Sequence, residues 1–304
     1  MSHKMLAVGH ILIDMRVLVD EMSSSDQLNP VNEISYGVGG SAANFAIGAR
    51  RLGGECVLVG KIGMDEFGRM AVDELMREKV PLDEIKVDLV EKTGYTIVII
   101  NKHGEVFMFG SKEASEALTP DEVKPIGLQC YSSVHIASLR IDTSMEIAKR
   151  ASRKGIIVTF DPGRVLVNKG IQYLCPLFRY VDTLLINQRE SKALTGLDDP
   201  EKSSLELRRV GARNVIIKLG KRGVFYLEDS RSGIVPAFEV KAIDTTGAGD
   251  AFAVGLTTAL GERCSLLDAV TYANAVAALK VTKLGAHSIP TKKEVEEFLS
   301  ARGI

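Results

Sequence analysis

The sequence predicts an α/β protein: a doubly wound, mostly parallel sheet flanked by helices, with a small β-sheet lid over one end. Three observations predict this. Short, continuously apolar runs alternate with helix-like segments, and apolarity without alternation suits strands covered on both faces. The intervening segments carry helix start and stop signals. Two further strand-like segments lack flanking helices, which sets them apart from the repeating β-then-α pattern.

In chain order, MLAVG (5–9), CVLVG (56–60), SVHIA (133–137), IIVTF (156–160), TLLIN (183–187) and NVIIKLG (214–220) read as the buried strands. Capping-box patterns stand at Thr119–Glu122, Thr143–Glu146 and Thr291–Glu294. Pro120 follows Thr119, at the first helical position, where its missing N–H is not needed. Gly155 suits the stop of a helix over 143–153. VNEISYG (31–37) and GYTIVIINKHGEVFMFG (94–110) read as the lid strands, the second turning at Asn101–Glu105. A lid has a chemical use, because it can exclude water from a reaction beneath it. Tyr95, Phe107 and Phe109 give it aromatic faces for a sugar or a base.

The 304 residues are 45% apolar and 25% charged, with a formal net charge of −1. This fits one globular α/β domain over 1–304 and gives no bulk attraction to nucleic acid or acidic lipid. No stretch reaches the ~18 apolar residues of a membrane span. Cys56, Cys130, Cys175 and Cys264 are far apart, without CxxC, as in a reduced cytoplasmic protein. No HExxH or paired metal spacing occurs among the five histidines. Ser23–Ser25 reads as loop.

Two glycine clusters carry the chemistry. In DTTGAGDAF (244–252), Gly247, Ala248 and Gly249 open a helix of small residues, so free backbone N–H groups and the helix dipole can hold a phosphoryl group. Asp250 in that turn repels a resting phosphate, but makes sense as a base that takes the proton of an acceptor hydroxyl. The second cluster, Gly37–Asn44, fits the loose dinucleotide pattern GxGxxA. Its context is wrong: a lid segment precedes it, and Glu55 falls before strand 56–60 rather than after it. A sugar-binding turn suits it better, with Asn44 offering donor and acceptor. No Walker-type GxxxxGK[ST] is present.

With these stretches in hand, the chain resembles the ribokinase-like (PfkB-type) carbohydrate kinases over nearly its whole length. GGSAANFAIGARRLG (39–53) resembles the first family signature and DTTGAGDAFAVG (244–255) the second. NQRE (187–190) resembles the NxxE motif, KLGKRG (218–223) the nucleotide loop, and GAHSIP (285–290) the segment closing over the adenine. The resemblance implies ATP as phosphate donor, with Asp250 as base and Gly247, Ala248 and Gly249 as anion hole. It implies sugar binding by Asp14, at the end of the first strand, with Gly39, Gly40 and Asn44. Asn187 and Glu190 would organise Mg2+, chiefly through water; Lys218, Gly220, Gly223 and Asn274 would line the nucleotide. Asp244, Thr246, Lys283, Gly285 and Ser288 match positions that hold K+ in some members. Family lids often meet across a two-fold axis, which implies a homodimer through the lid.

Two positions depart from ribokinases proper: Ser41 stands where they carry Lys, and Ser138-Leu-Arg140 where they carry a sugar-binding Glu. FDPGR (160–164) resembles other branches, keto-sugar acid and nucleoside kinases among them. Its Arg164 suits a substrate phosphate or carboxylate. The expected function is transfer of the γ-phosphate of ATP to a hydroxymethyl group of a sugar, with a nucleoside as the alternative acceptor. A dinucleotide-dependent oxidoreductase using Gly37–Ala42, and a silent sugar sensor on the same fold, are the readings from other classes.

Overall fold

The computed structural model describes residues 4–22, 28–229, 231–285 and 287–304. Ser23–Ser25 lies outside the described residues, as does Ala286 within the 285–290 segment. The strands are β1 (Lys4–Gly9), β2 (Leu12–Val19), β3 (Val31–Gly39), β4 (Glu55–Gly63), β5 (Ile85–Asp88), β6 (Thr93–Asn101), β7 (Val106–Glu113), β8 (Ser133–Ala137), β9 (Ile157–Asp161), β10 (Thr183–Asn187), β11 (Asn214–Lys218), β12 (Val224–Glu228) and β13 (Arg231–Val235). The helices are α1 (Ser41–Arg51), α2 (Glu66–Arg77), α3 (Pro120–Val123), α4 (Ile141–Ser152), α5 (Gly163–Val167), α6 (Ile171–Phe178), α7 (Gln188–Thr195), α8 (Pro200–Arg209), α9 (Ala248–Gly261), α10 (Leu266–Val281) and α11 (Lys292–Ser300).

Nine strands form the large sheet, in the order β13-β12-β11-β10-β9-β8-β1-β4-β5. Its pairings are parallel except at β12 and β13, which run antiparallel at one edge. Strand order reverses between β1 and β8, and in such sheets the crevice beyond the carboxyl ends at this switch point is where ligands bind. Register places Gly9, Ala137 and Asp161 side by side at those ends, and Asn187 beside Lys218.

One face of the sheet is covered by α1, α9 and α10, whose small residues permit unusually close crossings. A Cβ on Gly48 of α1 would meet Ile289 Cδ1 at 2.5 Å, and one on Gly255 of α9 would meet the Ala273 Cα of α10 at 2.9 Å. Larger residues would push these helices apart and displace whatever their N-termini carry.

The small sheet has four strands, in the order β3-β2-β6-β7. The lid is therefore larger than the two segments suggested. Its extra strand, β2, corrects the placing of Asp14: the residue lies inside β2, opposite Gly37 and Thr96, and not at the end of β1. LIDMRVLV was read through because only His10 and Ile11 separate it from the first strand, a junction too tight to resemble a break. The turn at Asn101–Glu105 forms, with Asn101 Oδ1 accepting from the His103 and Glu105 N–H groups.

The capping boxes at Thr119 and Thr291 form, but the one at Thr143 does not. Helix α4 begins two residues earlier, at Ile141, and the Thr143 hydroxyl donates instead to the Leu118 carbonyl at 2.8 Å. Tertiary contact overrides a local cap here. The 214–220 strand ends at Lys218, and Gly220, at φ +63°, starts a tight turn.

Candidate active site

Two helix N-termini face one another at the carboxyl end of the large sheet. Helix α1 is entered through Gly40, at φ +91°, where a Cβ would sit 2.3 Å from the His10 carbonyl oxygen. Helix α9 is entered through Gly247, at φ +73°. Both glycines are required by backbone geometry rather than by flexibility. The helices meet through their side chains: Asn44 Nδ2 of α1 donates to Asp250 Oδ2 of α9 at 2.7 Å.

Asp250 is partly buried, and burial pushes its pKa up to about 6, helped by the charge of Asp161. The Asn44 hydrogen bond, the Lys218 charge and a hydrogen bond from Ser41 oppose that rise. A carboxylate with its pKa near 6 is ionised at neutral pH and still basic enough to accept a proton, which suits a general base.

Asn44 is itself held from behind. Its Oδ1 lies 2.9 Å from His287 Nε2, and His287 Nδ1 lies 2.8 Å from Glu74 Oε1. Glu74 Oε2 accepts the Val38 N–H of β3 at 2.7 Å. A continuous hydrogen-bonded path thus runs from the lid sheet to Asp250. His287 and Glu74 were not singled out in the sequence; a lone histidine and a helix glutamate give no local signal.

Lys218, at the end of β11, stands beside the opening of α9, at the centre of the candidate site. Its Nζ donates to Asp161 Oδ2 at 2.8 Å and lies 3.4 Å from where a Cβ on Gly249 would stand. Burial alone lowers an ammonium's pKa, but the Asp161 charge and hydrogen bond more than offset it, so the Lys218 pKa is raised. A fixed cation therefore borders the amides of Gly247–Gly249. Asp161, within the FDPGR stretch, is the residue of that motif that reaches this centre.

Asn187 and Glu190 form a capping box at the start of α7: Glu190 N–H donates to Asn187 Oδ1, and Asn187 N–H to Glu190 Oε2. Burial and the Asp161 charge raise the Glu190 pKa. Exposed Arg164 acts on Glu190 in the opposite direction, which places it on this side of the centre. Gly220 and Gly223 shape the turn after β11. At Gly223, φ +96°, a Cβ would stand 2.1 Å from the Val235 carbonyl oxygen. Asn274 is buried, and its amide nitrogen donates to the Val235 and Pro236 carbonyls, so it props the segment packed against that turn.

Asp14 reaches in from the lid sheet. A Cβ on Gly39 would lie 2.3 Å from its carboxyl group, so glycine is what admits it. Burial raises the Asp14 pKa, with Thr96, His287, Lys112 and Arg16 acting against the rise. Lys112, on β7, is partly buried, and burial lowers its pKa; Glu116 and Asp14 counter that. Of the lid aromatics, Tyr95 packs beside Phe67 at 6.2 Å between ring centroids, while Phe107 and Phe109 are exposed.

Asp244, Thr246, Lys283, Gly285 and Ser288 do come together. The Asp244 carboxylate accepts the Thr246 and Gly285 N–H groups and Arg16 Nη2, and the Ser288 hydroxyl donates to the Gly285 carbonyl. Gly37–Gly39, by contrast, ends a strand of the small sheet, so the dinucleotide reading of Gly37–Ala42 fails: no strand of the large sheet leads into that turn.

Comparison with known proteins gives the family and the fold. The sequence profile of the pfkB family carbohydrate kinases matches residues 2–293. The chain is 33% identical over 303 residues to the ATP-dependent ribose-1-phosphate kinase of Halopiger xanaduensis, covering 98% of this chain and 99% of that protein. It is 31% identical over 279 residues to the ribokinase of Haemophilus influenzae, covering 88% of each. The ribokinase of Thermotoga maritima superposes with a TM-score of 0.88 at 29% identity, over 99% of this chain and all of that one.

Proposed function

This chain belongs to the pfkB family of carbohydrate kinases, and we propose that it transfers the γ-phosphate of ATP to a hydroxymethyl group of a sugar with Asp250 as general base. One observation carries the reading: an ionisable carboxylate, a partly buried ammonium and a glycine-opened helix N-terminus converge on one point. Asp250 takes the hydroxyl proton as the oxygen bonds to the γ-phosphorus. The bond from that phosphorus to the β,γ-bridging oxygen breaks, and ADP leaves. The N–H groups around Gly247, Ala248 and Gly249, with Lys218, meet the charge on the phosphoryl oxygens.

Asp14 and Asn44 are placed to hold sugar hydroxyls, with Gly39 and Gly40 giving them room. The turn around Gly220 and Gly223, propped by Asn274, would line the nucleotide. Mg2+ belongs to the same proposal: Glu190 and Asp161, with Asn187 fixing Glu190, would hold it, largely through water. When bound it would neutralise phosphate charge. We treat the 304 residues as one α/β domain whose small sheet serves as lid. That sheet exposes Ile34, Val106, Met108 and Phe109, which favours a homodimer formed through it. The free cysteines among the described residues accord with a cytoplasmic setting.

A specific observation favours a phosphorylated pentose over a neutral sugar. Among the described residues, the partly buried ammonium of Lys112 has no hydrogen-bond or ion-pair partner, yet it stands near Asp14. An acceptor bearing a phosphate would supply its counter-charge, and the Halopiger relative is named for ribose 1-phosphate. The test is ATP-dependent ADP release with ribose, fructose, ribose 1-phosphate, ribose 5-phosphate and nucleosides. The expected result is the highest kcat/KM with a phosphopentose carrying a free hydroxymethyl group. A preference for nucleosides alone removes the sugar reading.

A further inference from the structure

We infer that the protein supplies the positive charge of its presumptive K+ position from its own chain, through Lys280 and Arg16, and that it works without a monovalent metal ion. The activity arm of this inference rests on the kinase reading; the geometry does not.

Of the oxygens that would coordinate K+, those of Asp244 and the Gly285 carbonyl are already engaged by protein donors. Lys280, near the end of α10, is 0% exposed, and its Nζ donates to the Asp244 carbonyl at 2.8 Å. Arg16 of β2 brings a second cation to the same residue, with Nη2 at 2.9 Å from Asp244 Oδ2. That carboxylate also takes the Thr246 N–H on Oδ1 at 2.8 Å and the Gly285 N–H on Oδ2 at 2.9 Å. The Ser288 hydroxyl donates to the Gly285 carbonyl at 2.7 Å. A K+ ion is held when a set of carbonyl oxygens replaces its water shell. Here the set is reduced, and the space beside the Asp244 carbonyl is filled by an ammonium.

Burying a lysine is costly unless its charge is answered. Among the described residues Lys280 makes no ion pair; it makes one bond to a carbonyl. Its pKa is lowered by burial, with the charges of Asp244 and Asp250 acting against that and Arg16 adding to it. A buried charge answered mainly by a carbonyl and two nearby carboxylates is the arrangement a bound alkali cation would have. The position also has a consequence for the site. Ile243 and Asp244 N–H groups both donate to the Val281 carbonyl, one residue from Lys280. Asp244 begins the turn that ends in Gly247 and opens α9. A covalently attached cation at the root of that turn holds the anion hole in place whether or not an alkali ion is present. Lys280 is thus a positioning residue, acting through Asp244 on the amides of Gly247–Gly249.

The experiment compares potassium chloride with choline chloride at matched ionic strength, in buffers free of other alkali and ammonium ions. Wild-type protein is expected to show the same kcat within ~2-fold, and the same melting temperature, in both salts. Lys280→Ala leaves a space beside the Asp244 carbonyl. It is expected to lose kcat in choline, regain at least ~5-fold in potassium, and melt higher in potassium than in choline. A lysine that merely packs would lower the melting temperature equally in both salts. Lys280→Met keeps the length without the charge, and is expected to stay impaired in both. Potassium activation of the wild type overturns the inference, as does a folded Lys280→Ala protein that ignores potassium or a fully active Lys280→Met protein. If neither variant folds, the wild-type comparison decides alone. If no acceptor is phosphorylated, the kinase reading has failed, and the melting comparison still reports on the cation.

Discussion

The two sheets that meet at the site are built on different terms. The nine-stranded sheet is buried on both faces and carries Asp161, Asn187 and Lys218 at the ends of strands fixed by neighbours on either side. Its covering helices cross so closely that single methyl groups would move them. The four-stranded sheet covers the site with one face and leaves apolar residues on β3 and β7 exposed. It contributes Asp14 and Lys112, the groups proposed above to choose an acceptor. The difference teaches a division of labour. In the proposed reading, bond making would sit on the part of the fold that tolerates least displacement, and acceptor choice on the sheet that leaves part of its surface exposed. The hydrogen-bonded path Asp250–Asn44–His287–Glu74–Val38 N is one of the links between the two, with Arg16–Asp244 and Thr93–Gly63 among the others.

That division makes graded predictions. The largest effect belongs to the large-sheet side. Asp250→Asn keeps the shape and removes the base, so kcat is expected to fall by at least ~10² while the melting temperature holds or rises, since a buried charge is lost. Steady-state kinetics with a thermal melt checks both halves, and near-normal turnover would take the base role from Asp250. Next comes Gly39→Ala on the lid side. Its methyl group displaces the Asp14 carboxyl, so the acceptor KM should rise by ~10-fold, about 1.4 kcal/mol, with the ATP KM nearly unchanged. An equal rise in both constants would erase the division.

The pH profile should report chiefly on the large-sheet side, through Asp250. Asp250 must be ionised to act, and its pKa is raised to about 6. So kcat/KM should be level above that value and fall with unit slope below it. Asn44→Ala removes a hydrogen bond that lowers that pKa, so the limb should move to higher pH. The smallest effect is expected at the lid's outer face. Met108→Glu puts a charge on the exposed apolar strand β7, and should shift a dimer toward monomer in sedimentation while changing kcat by no more than ~3-fold. A monomeric wild type would withdraw the lid interface.

Much of this was legible because it is local. Six apolar runs gave six strands of the large sheet within a residue or two at most ends, and the glycine turns before α1 and α9 were evident from composition. The strands that escaped notice are informative. β2 was hidden by the short junction after β1, and with it the place of Asp14. Thr143 had every local mark of a cap, but its hydroxyl is claimed by Leu118, 25 residues away. FDPGR drew attention to Arg164, whereas Asp161 makes the contact with Lys218. Lys280 looked like any lysine near the end of a helix, and it is fully buried.

What the sequence alone determined is whatever depends on spacing along the chain: the alternation of strands and helices, the two glycine clusters, and the carboxylate in the turn of the second. What only the tertiary structure decided is which charges meet. Asp250 with Asn44, Lys218 with Asp161, and Lys280 with Asp244 are separated by 206, 57 and 36 positions. The physical reason is that a charge's protonation and role follow from its burial and its neighbours, and packing brings those together from distant parts of the chain.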